Sequence, residues 1–300
     1  MSRVLAIVNP AAGHNTAARA WSQVRQLHNW DCIQTERPGH ARDLAASAVG
    51  VYDRVVAVGG DGTASEVANG LAHSQTSMAI IPSGTGNDFA VNLSIPADPV
   101  AAANLAATGR ACPIDLGEVQ RSTGTSYFTN IAGFGFDAEV AARVNRLPKL
   151  GGRTLPYIAG VLQTLFQFRT PGMRLTLDTT VIDEPIFLAA VANCASYGGG
   201  MRIAPAARPD DGLFDVCVVK DLSRVEVLRL LPSLYTGEHV RHRAVEIIRC
   251  ASVSADASAR VLCQADGELA GELPVRFAIR PAALQCVRPM RPTGAPTAQP

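Results

Sequence analysis

Three times before residue 90 the chain passes from a short apolar run into a glycine-rich turn and then into a helical pattern, and this repeated order constrains the fold most. Val4 to Val8 ends at Asn9-Pro10 and a small-residue loop, Ala11-Ala12-Gly13. From Thr16 to Leu27, Trp21, Val24 and Leu27 then recur at helical spacing. The second unit is Arg54 to Val58, Gly59-Gly60-Asp61-Gly62-Thr63, then Ala64 to Leu71. The third runs from Ser77 to Ile81 through Pro82-Ser83-Gly84-Thr85-Gly86-Asn87-Asp88 into a short helix. Alternation of this kind specifies a parallel sheet with helices on its faces.

After Pro113 the pattern changes. Strand candidates at Leu116–Val119, Tyr127–Ile131, Arg174–Leu177, Ile186–Ala192 and Phe214–Val219 predict an antiparallel sandwich, interrupted by helices at about 137–147, 154–168 and 223–236. The expected division is an α/β domain over 1–115, a β-sandwich domain over 116–288, and a disordered proline-bearing tail over 289–300. At 300 residues and 47% apolar content there is material for two cores. The longest wholly apolar run, Ile186 to Ala192, is far short of the ~20 residues of a spanning helix. The apolar start, Val4 to Val8, is too short for a secretory signal. A soluble or peripheral protein is expected.

Charge excludes some partners. Lys plus Arg total 27 against 26 acidic residues, a net +1, so no global field draws the chain to nucleic acid. Aromatic residues, at 5%, are too sparse for a base-stacking platform. The seven cysteines contain no CxxC motif and read as buried or free thiols. The six histidines show no metal spacing, and no serine sits in a GxSxG elbow.

Each glycine turn falls at the carboxyl end of a predicted parallel strand, where open α/β sheets place their ligand crevice. Glycine lets backbone N–H groups approach an oxyanion, and the helix that follows adds a partial positive charge. Phosphate is the natural occupant. Thr63 and Thr85 add hydroxyls, and Asp61 is suited to a Mg²⁺ shared with phosphate oxygens. Any one turn alone also reads as a tight βα connection. The Walker spacing and GxGxxG with its acidic partner are both absent, and the only lysines, Lys149 and Lys220, lie outside the turns. A site dominated by backbone donors is expected.

These residues resemble a known family. Val58-Gly59-Gly60-Asp61-Gly62-Thr63, with Glu66 and Asn69 after it, is similar to the nucleotide loop of the diacylglycerol kinase catalytic domain, shared with sphingosine kinases and bacterial soluble lipid kinases and, more distantly, with NAD kinases and phosphofructokinases. Gly84-Thr85-Gly86-Asn87-Asp88-Phe89-Ala90 resembles the GTxNDFA segment of the lipid kinases, and Asn130 to Ala138 their NxxxxGFDA element. Ala192-Asn193, Gly198-Gly199-Gly200, Pro205, Asp210 to Asp215 and Asp266-Gly267-Glu268 continue the resemblance in family order.

The resemblance implies an N-terminal Rossmann-like α/β nucleotide domain and a C-terminal β-sandwich, with ATP·Mg²⁺ in the cleft between them. A last strand, around Val275–Arg280 or Ala283–Val287, is a candidate to return to the first domain. It further implies an ATP site lined by Asn9, Pro10, Ala11, Ala12, Gly13, Thr35, Gly59, Gly60, Asp61, Gly62, Thr63, Ala64, Ser65, Glu66, Thr85, Asn87 and Asp88. Ser65 departs from the Asn common in relatives, so altered nucleotide detail with retained binding is expected. A base role falls to Asp266 and Glu268, with Glu268 as proton acceptor, Asp266 supporting, and the reverse order left open; Asp-Gly-Glu by itself also reads as a hairpin turn. Arg208, Asp211 and Leu213 resemble a structural Mg²⁺ segment, with backbone carbonyls at the Arg and Leu positions, and Asp61 is the metal candidate of the first domain.

The expected activity is transfer of the γ-phosphate of ATP to the hydroxyl of a membrane lipid, diacylglycerol to phosphatidic acid first, with sphingoid bases and phosphatidylglycerol open. An NAD kinase-like enzyme on a soluble hydroxyl leaves Asn87-Asp88-Phe89-Ala90 unexplained. A silent nucleotide-binding regulator leaves Asp61 and the Asp266/Glu268 pair without purpose. The lipid would be reached through Arg143, Arg146, Lys149, Arg153, Arg169 and Arg174 beside the apolar stretch Leu155 to Phe168, although that stretch also reads as core packing. The expected location is cytoplasmic with transient association at the inner face of the membrane. No nucleic acid or obligate protein partner is expected, and an oligomer is left open.

Overall fold

The computed structural model describes residues 3–13, 15–121, 124–146 and 154–290, apart from the side chains of 144–146 and 154–159. The chain divides into two units, Met1–Ile114 with Leu284–Pro300, and Asp115–Ala283.

The first unit alternates β1 (Val4–Val8), α1 (Thr16–Val24), β2 (Asp31–Gln34), α2 (His40–Ala48), β3 (Arg54–Gly59), α3 (Asp61–Leu71) and β4 (Ser77–Pro82), then α4 (Asp88–Asn92) and α5 (Pro99–Thr108). Its strands pair in parallel in the order β2-β1-β3-β4. β1, β3 and β4 are almost wholly buried because helices cover both faces, which is why they read as unbroken apolar runs. β2 is the exposed edge, and its DCIQ sequence carries no strand signal of that kind. Helix α5 starts on an N-cap: Asp98 accepts the Ala101 N–H at 2.8 Å, and Pro99 follows at the first position.

The chain leaves this unit along β5 (Ala111–Arg121) and continues through β6 (Gly124–Phe128), β7 (Ile131–Gly135), α6 (Phe136–Arg146), α7 (Thr154–Gln167), β8 (Gly172–Leu177), β9 (Thr180–Ala192), β10 (Phe214–Lys220), α8 (Arg224–Leu230), α9 (Ser233–Thr236) and a 3-10 turn at Glu238–Arg241. It ends with β11 (Val245–Cys250), β12 (Ser252–Ala257), β13 (Leu262–Ala265), β14 (Glu268–Glu272) and β15 (Val275–Val287). The second unit is a sandwich. One layer runs β6-β5-β15-β12-β8, the other β14-β13-β7-β9-β10-β11. The thirteen-residue β9 belongs to both: Thr180–Pro185 pairs with β8, and Ile186–Ala192 with β10 and β7. Alternate residues of the facing strands, among them Phe128, Phe134, Leu175, Val216, Val253 and Phe277, form the core between the layers. The opposite face of β7, β9 and β10 is covered by α6, α7 and α8 through Phe136, Leu165, Phe187 and Val227.

Two sequence expectations need correction. The single strand at Tyr127–Ile131 is two strands broken at Thr129-Asn130, where backbone donors turn to a carboxylate instead of a neighbouring strand. The alternatives Val275–Arg280 and Ala283–Val287 are one strand: β15 pairs with β12 at its start, and Cys286 pairs in parallel with Met78 of β4 at its end.

The described side chains of the apolar stretch of α7 divide between core and surface. Leu165 is buried, and Val161 and Phe168 pack on the same cluster, whereas Phe166 is 58% exposed. Lys149 and Arg153 lie outside the described residues. All seven cysteines are free thiols.

Candidate active site

The registers Val8↔Val58 and Gly59↔Pro82 end β1, β3 and β4 level with one another, so the three glycine turns that follow are neighbours. The ladder continues beyond the strands through Asn9 N–H to Val58 O at 3.0 Å and Ser83 N–H to Gly59 O at 2.8 Å. Each turn is also fastened to the other two. Asn9 Nδ2 donates to Thr63 Oγ1 at 3.0 Å, the Phe89 N–H donates to Asp61 Oδ1 at 3.0 Å, and Thr16 Oγ1 donates to Ser83 O at 2.5 Å. Gly60 and Gly84 meet backbone to backbone, where a Cβ on Gly84 would lie 2.5 Å from the Gly60 Cα. Only glycine permits that approach.

No side chain caps α3 at Gly60, so the amides of its first turn face an open N-terminus that favours an anion. Gly62 and Thr85 are exposed there. Across Gly86, a Cβ would lie 3.0 Å from Asp61 Oδ2 and 3.2 Å from Asp88 Oδ2, so two carboxylates face one small region. Hard oxygens in this number suit a Mg²⁺ that takes its remaining ligands from phosphate and water. Among the described residues no three His, Cys, Asp or Glu side chains gather as a complete metal cage.

Several of the expected nucleotide contacts also carry structural hydrogen bonds. Both oxygens of Glu66 cap α2, accepting the Gly39 N–H at 2.9 Å and the Ala41 N–H at 3.0 Å. Asn87 closes its own turn, accepting the Gly84 N–H at 2.8 Å and donating to Gly84 O at 3.1 Å. The Ala11 amide is used in an Asx turn on Asn9 Oδ1 at 3.1 Å, and Ala12 N–H bonds Asn9 O. Thr63 and Ala64 are buried, while Pro10, Gly13 and Ser65 are part-buried. Thr35 follows β2 with its N–H on Val8 O at 2.8 Å, at the same end of the sheet.

In the second unit, Asp266 and Gly267 are the two loop residues of the β13–β14 hairpin, with φ of 49° and 83°. Consecutive positive φ values are the signature of a type I′ turn, so the hairpin reading of Asp-Gly is correct. The Asp266 carboxylate does more than turn the chain. It accepts the N–H groups of Thr129 (2.8 Å), Asn130 (2.9 Å) and Ile131 (3.3 Å) and the Thr129 hydroxyl (3.0 Å). That set of donors is what breaks the strand at Thr129-Asn130. Asn193, fully buried at the end of β9, donates to Thr129 O at 2.8 Å and Asp115 O at 3.0 Å and pins the same bend. With its lone pairs so engaged, Asp266 is poorly placed to accept a further proton, whereas Glu268 is exposed. The two carboxylates differ in surroundings and therefore in capability.

Asp211 pairs with Arg249 at 2.5 Å and accepts the Leu213 N–H at 3.2 Å, and Arg208 pairs with Asp210 at 3.1 Å. A cation at Asp211 would have to share that carboxylate with a guanidinium. Close by, Asp215 Oδ2 is buried without a hydrogen-bond partner, and burial raises its pKa, with Arg249 opposing. Asp115, which sequence reasoning passed over, is buried and accepts the Gly212 N–H and the Ala282 N–H, both at 2.8 Å. Its signal was an acid, one of two with Glu118, within the otherwise largely apolar strand β5.

Comparison with known proteins agrees in both units. Residues 3–119 match the diacylglycerol kinase catalytic domain, and residues 130–288 the YegS C-terminal NAD kinase beta sandwich-like domain. A diacylglycerol kinase of Mycobacterium tuberculosis is 37% identical over 96% of each chain. One from Bacillus subtilis is 31% identical over 92% of this chain and 93% of its own. A solved diacylglycerol kinase structure from Bacillus anthracis shares the fold, with a TM-score of 0.73 at 20% identity, covering 96% of this chain and 97% of its own. With glycine turns, hairpin and sandwich all in family order, the chain belongs to the diacylglycerol kinase catalytic-domain family and is a kinase that phosphorylates a hydroxyl.

Proposed function

We propose that the protein is an ATP- and Mg²⁺-dependent lipid kinase that transfers the γ-phosphate to the hydroxyl of a membrane lipid, diacylglycerol first, yielding phosphatidic acid. The observation that carries the nucleotide half is the mutual fastening of three glycine turns around the uncapped start of α3. The names of the curated relatives support the lipid half. Backbone amides of the Asn9–Gly13, Gly59–Thr63 and Ser83–Asp88 turns hold the phosphates, and Asp61 with Asp88 supplies carboxylate ligands to Mg²⁺, which would neutralise phosphate charge. Glu268 takes the proton of the attacking hydroxyl as the new O–P bond forms and ADP leaves. Asp266 is a positioning residue that holds the turn on which Glu268 stands. A second, structural Mg²⁺ at the Arg208–Leu213 segment would be held by the Asp211 carboxylate and the Arg208 and Leu213 carbonyls, with Asp211 shared with Arg249.

Acceptor access is proposed at an inner membrane surface. No helix among the described residues is long and apolar enough to cross a membrane. Exposed Phe166, with the Arg224 guanidinium 5.6 Å from its ring centroid, offers an apolar and basic contact.

Glu268→Gln tests the base assignment. The expected result is a loss of turnover of about 10²–10⁴-fold, the usual worth of a general base, with ATP binding retained. Wild-type turnover by Glu268→Gln overturns it.

A further inference from the structure

The register of β13 against β7 places Gln264 directly opposite Gly133. Side chains of directly paired residues share a face of the sheet, so the glutamine amide extends over a position that carries no side chain. Helix α6 begins just beyond β7, and its Asp137 occupies that space: a Cβ on Gly133 would lie 2.4 Å from Asp137 Oδ2. Gln264, 1% exposed, donates from Nε2 to Asp137 Oδ2 at 3.1 Å. Its other amide atom, Oε1, accepts the Gly267 N–H at 2.9 Å. The second oxygen of Asp137 accepts the Ala138 N–H at 2.8 Å. An unbroken chain of donors and acceptors thus runs from a carboxylate at the start of α6, through a buried amide, to the central residue of the Asp266-Gly267-Glu268 turn.

We propose that Asp137 and Gln264 act as a positioning pair for phosphoryl transfer, in which the Asp137 carboxylate fixes the orientation of the Gln264 amide and so sets the turn that presents Glu268 to the acceptor hydroxyl. The inference rests on the assignment of Glu268 as base. Its logic lies in polarity. Asp137 must accept two N–H groups, one from Ala138 and one from Gln264. An asparagine has one acceptor oxygen, so Asp137→Asn turns an N–H toward Gln264 and rotates or repels its amide. An amide rotated in this way presents Nε2 to the Gly267 N–H, donor against donor, and leaves the buried Gln264 amide with a donor that lacks its acceptor, which is costly. Burial raises the Asp137 carboxyl to about 6, so it is ionised and accepting near neutral pH. The titratable groups coupled to it, the thiols of Cys217 on β10 and Cys263 on β13, are pushed up to about 12 by burial and remain neutral beside it.

The polarity can be reversed without changing the shape or the total charge. In Asp137→Asn/Gln264→Glu the asparagine donates to one oxygen of the new carboxylate, and the other oxygen accepts the Gly267 N–H. Four proteins, wild type, the two single variants and the double, are compared by steady-state kinetics with ATP and diacylglycerol micelles, and by hydrogen exchange of residues 264–268 without substrate. Each single variant should lose about tenfold or more in kcat, since small displacements of catalytic groups have effects of this order or larger, while KM for ATP stays within about twofold. Amide exchange in the turn should quicken in both. The double variant should recover kcat to within about threefold of wild type and restore slow exchange, a coupling that simple loss of packing does not produce. Single variants with wild-type kcat and exchange, or a folded double variant no better than the worse single, overturn the proposal. If wild type itself transfers no phosphate to the lipid, the reading of function fails, and the exchange data still decide whether the pair sets the turn.

Discussion

Gly62 separates the demands of the fold from those of a ligand. It is the second residue of α3, its φ is not in the left-handed region, and a Cβ added there meets no heavy atom within 4 Å. Nothing inside the protein requires glycine at this position. Helix propensity alone favours alanine by up to about 1 kcal/mol. For a unit of this size, that gain raises the melting temperature by roughly 2–8 °C. If phosphate lies against the first-turn amides, the same methyl group stands in its path. Losing even one charge-assisted hydrogen bond, worth about 1.5–3 kcal/mol, weakens binding by roughly 10–100-fold. The account therefore predicts that Gly62→Ala is more stable than wild type in thermal melts and binds ATP·Mg²⁺ at least tenfold more weakly by calorimetry. Gly84→Ala should behave in the opposite sense on stability, because its Cβ would lie 2.5 Å from the Gly60 Cα. A Gly62→Ala protein with undiminished ATP affinity would refute the placement of phosphate at this helix start.

Glu66→Ala removes two hydrogen bonds and a carboxylate from the start of α2, and should cost about 1–2 kcal/mol in denaturant melts, with faster amide exchange at Gly39 and Ala41; an unchanged midpoint would show the cap to be immaterial. Asp61→Ala should weaken use of Mg²⁺·ATP, while Asp61→Asn keeps an acceptor for the Phe89 N–H and should raise the Mg²⁺ concentration needed for half-maximal turnover without loosening the fold. Asp137 has its pKa raised from 3.8 to about 6, so it stabilises the fold when protonated, fully below pH 3.8, and this contribution is lost as the pH rises from there through about 6. Relative to Asp137→Asn, wild-type stability should therefore gain on the order of 1–3 kcal/mol between pH 7 and pH 4, and parallel pH profiles would contradict the assignment.

How much of this could be read in advance depended on whether the signal was local. Strands β1, β3 and β4 are buried on both faces, so their apolar runs and glycine turns stood out in the sequence. The exposed edge strand β2 and the alanine-rich α2 gave no such contrast. The break at Thr129-Asn130 was invisible because its cause, the Asp266 carboxylate, lies more than 130 positions along the chain. The sequence reading of Glu66 and Asn87 stops at the nucleotide contacts that the resemblance implies. Their side chains satisfy backbone donors that only the folded turns create. Asp137 lies inside the Asn130–Ala138 element and Gln264 two residues before Asp266, but their connection depends on strand register and on the missing side chain at Gly133, which the linear sequence does not display.

The most direct measurement is transfer of radiolabelled γ-phosphate from ATP by the purified protein, with Mg²⁺ present, to diacylglycerol in mixed micelles and, separately, to NAD. The account predicts labelled phosphatidic acid, none when Mg²⁺ is chelated, and no labelled NADP. Label in NADP, or in neither acceptor across a panel of lipid alcohols, would contradict it.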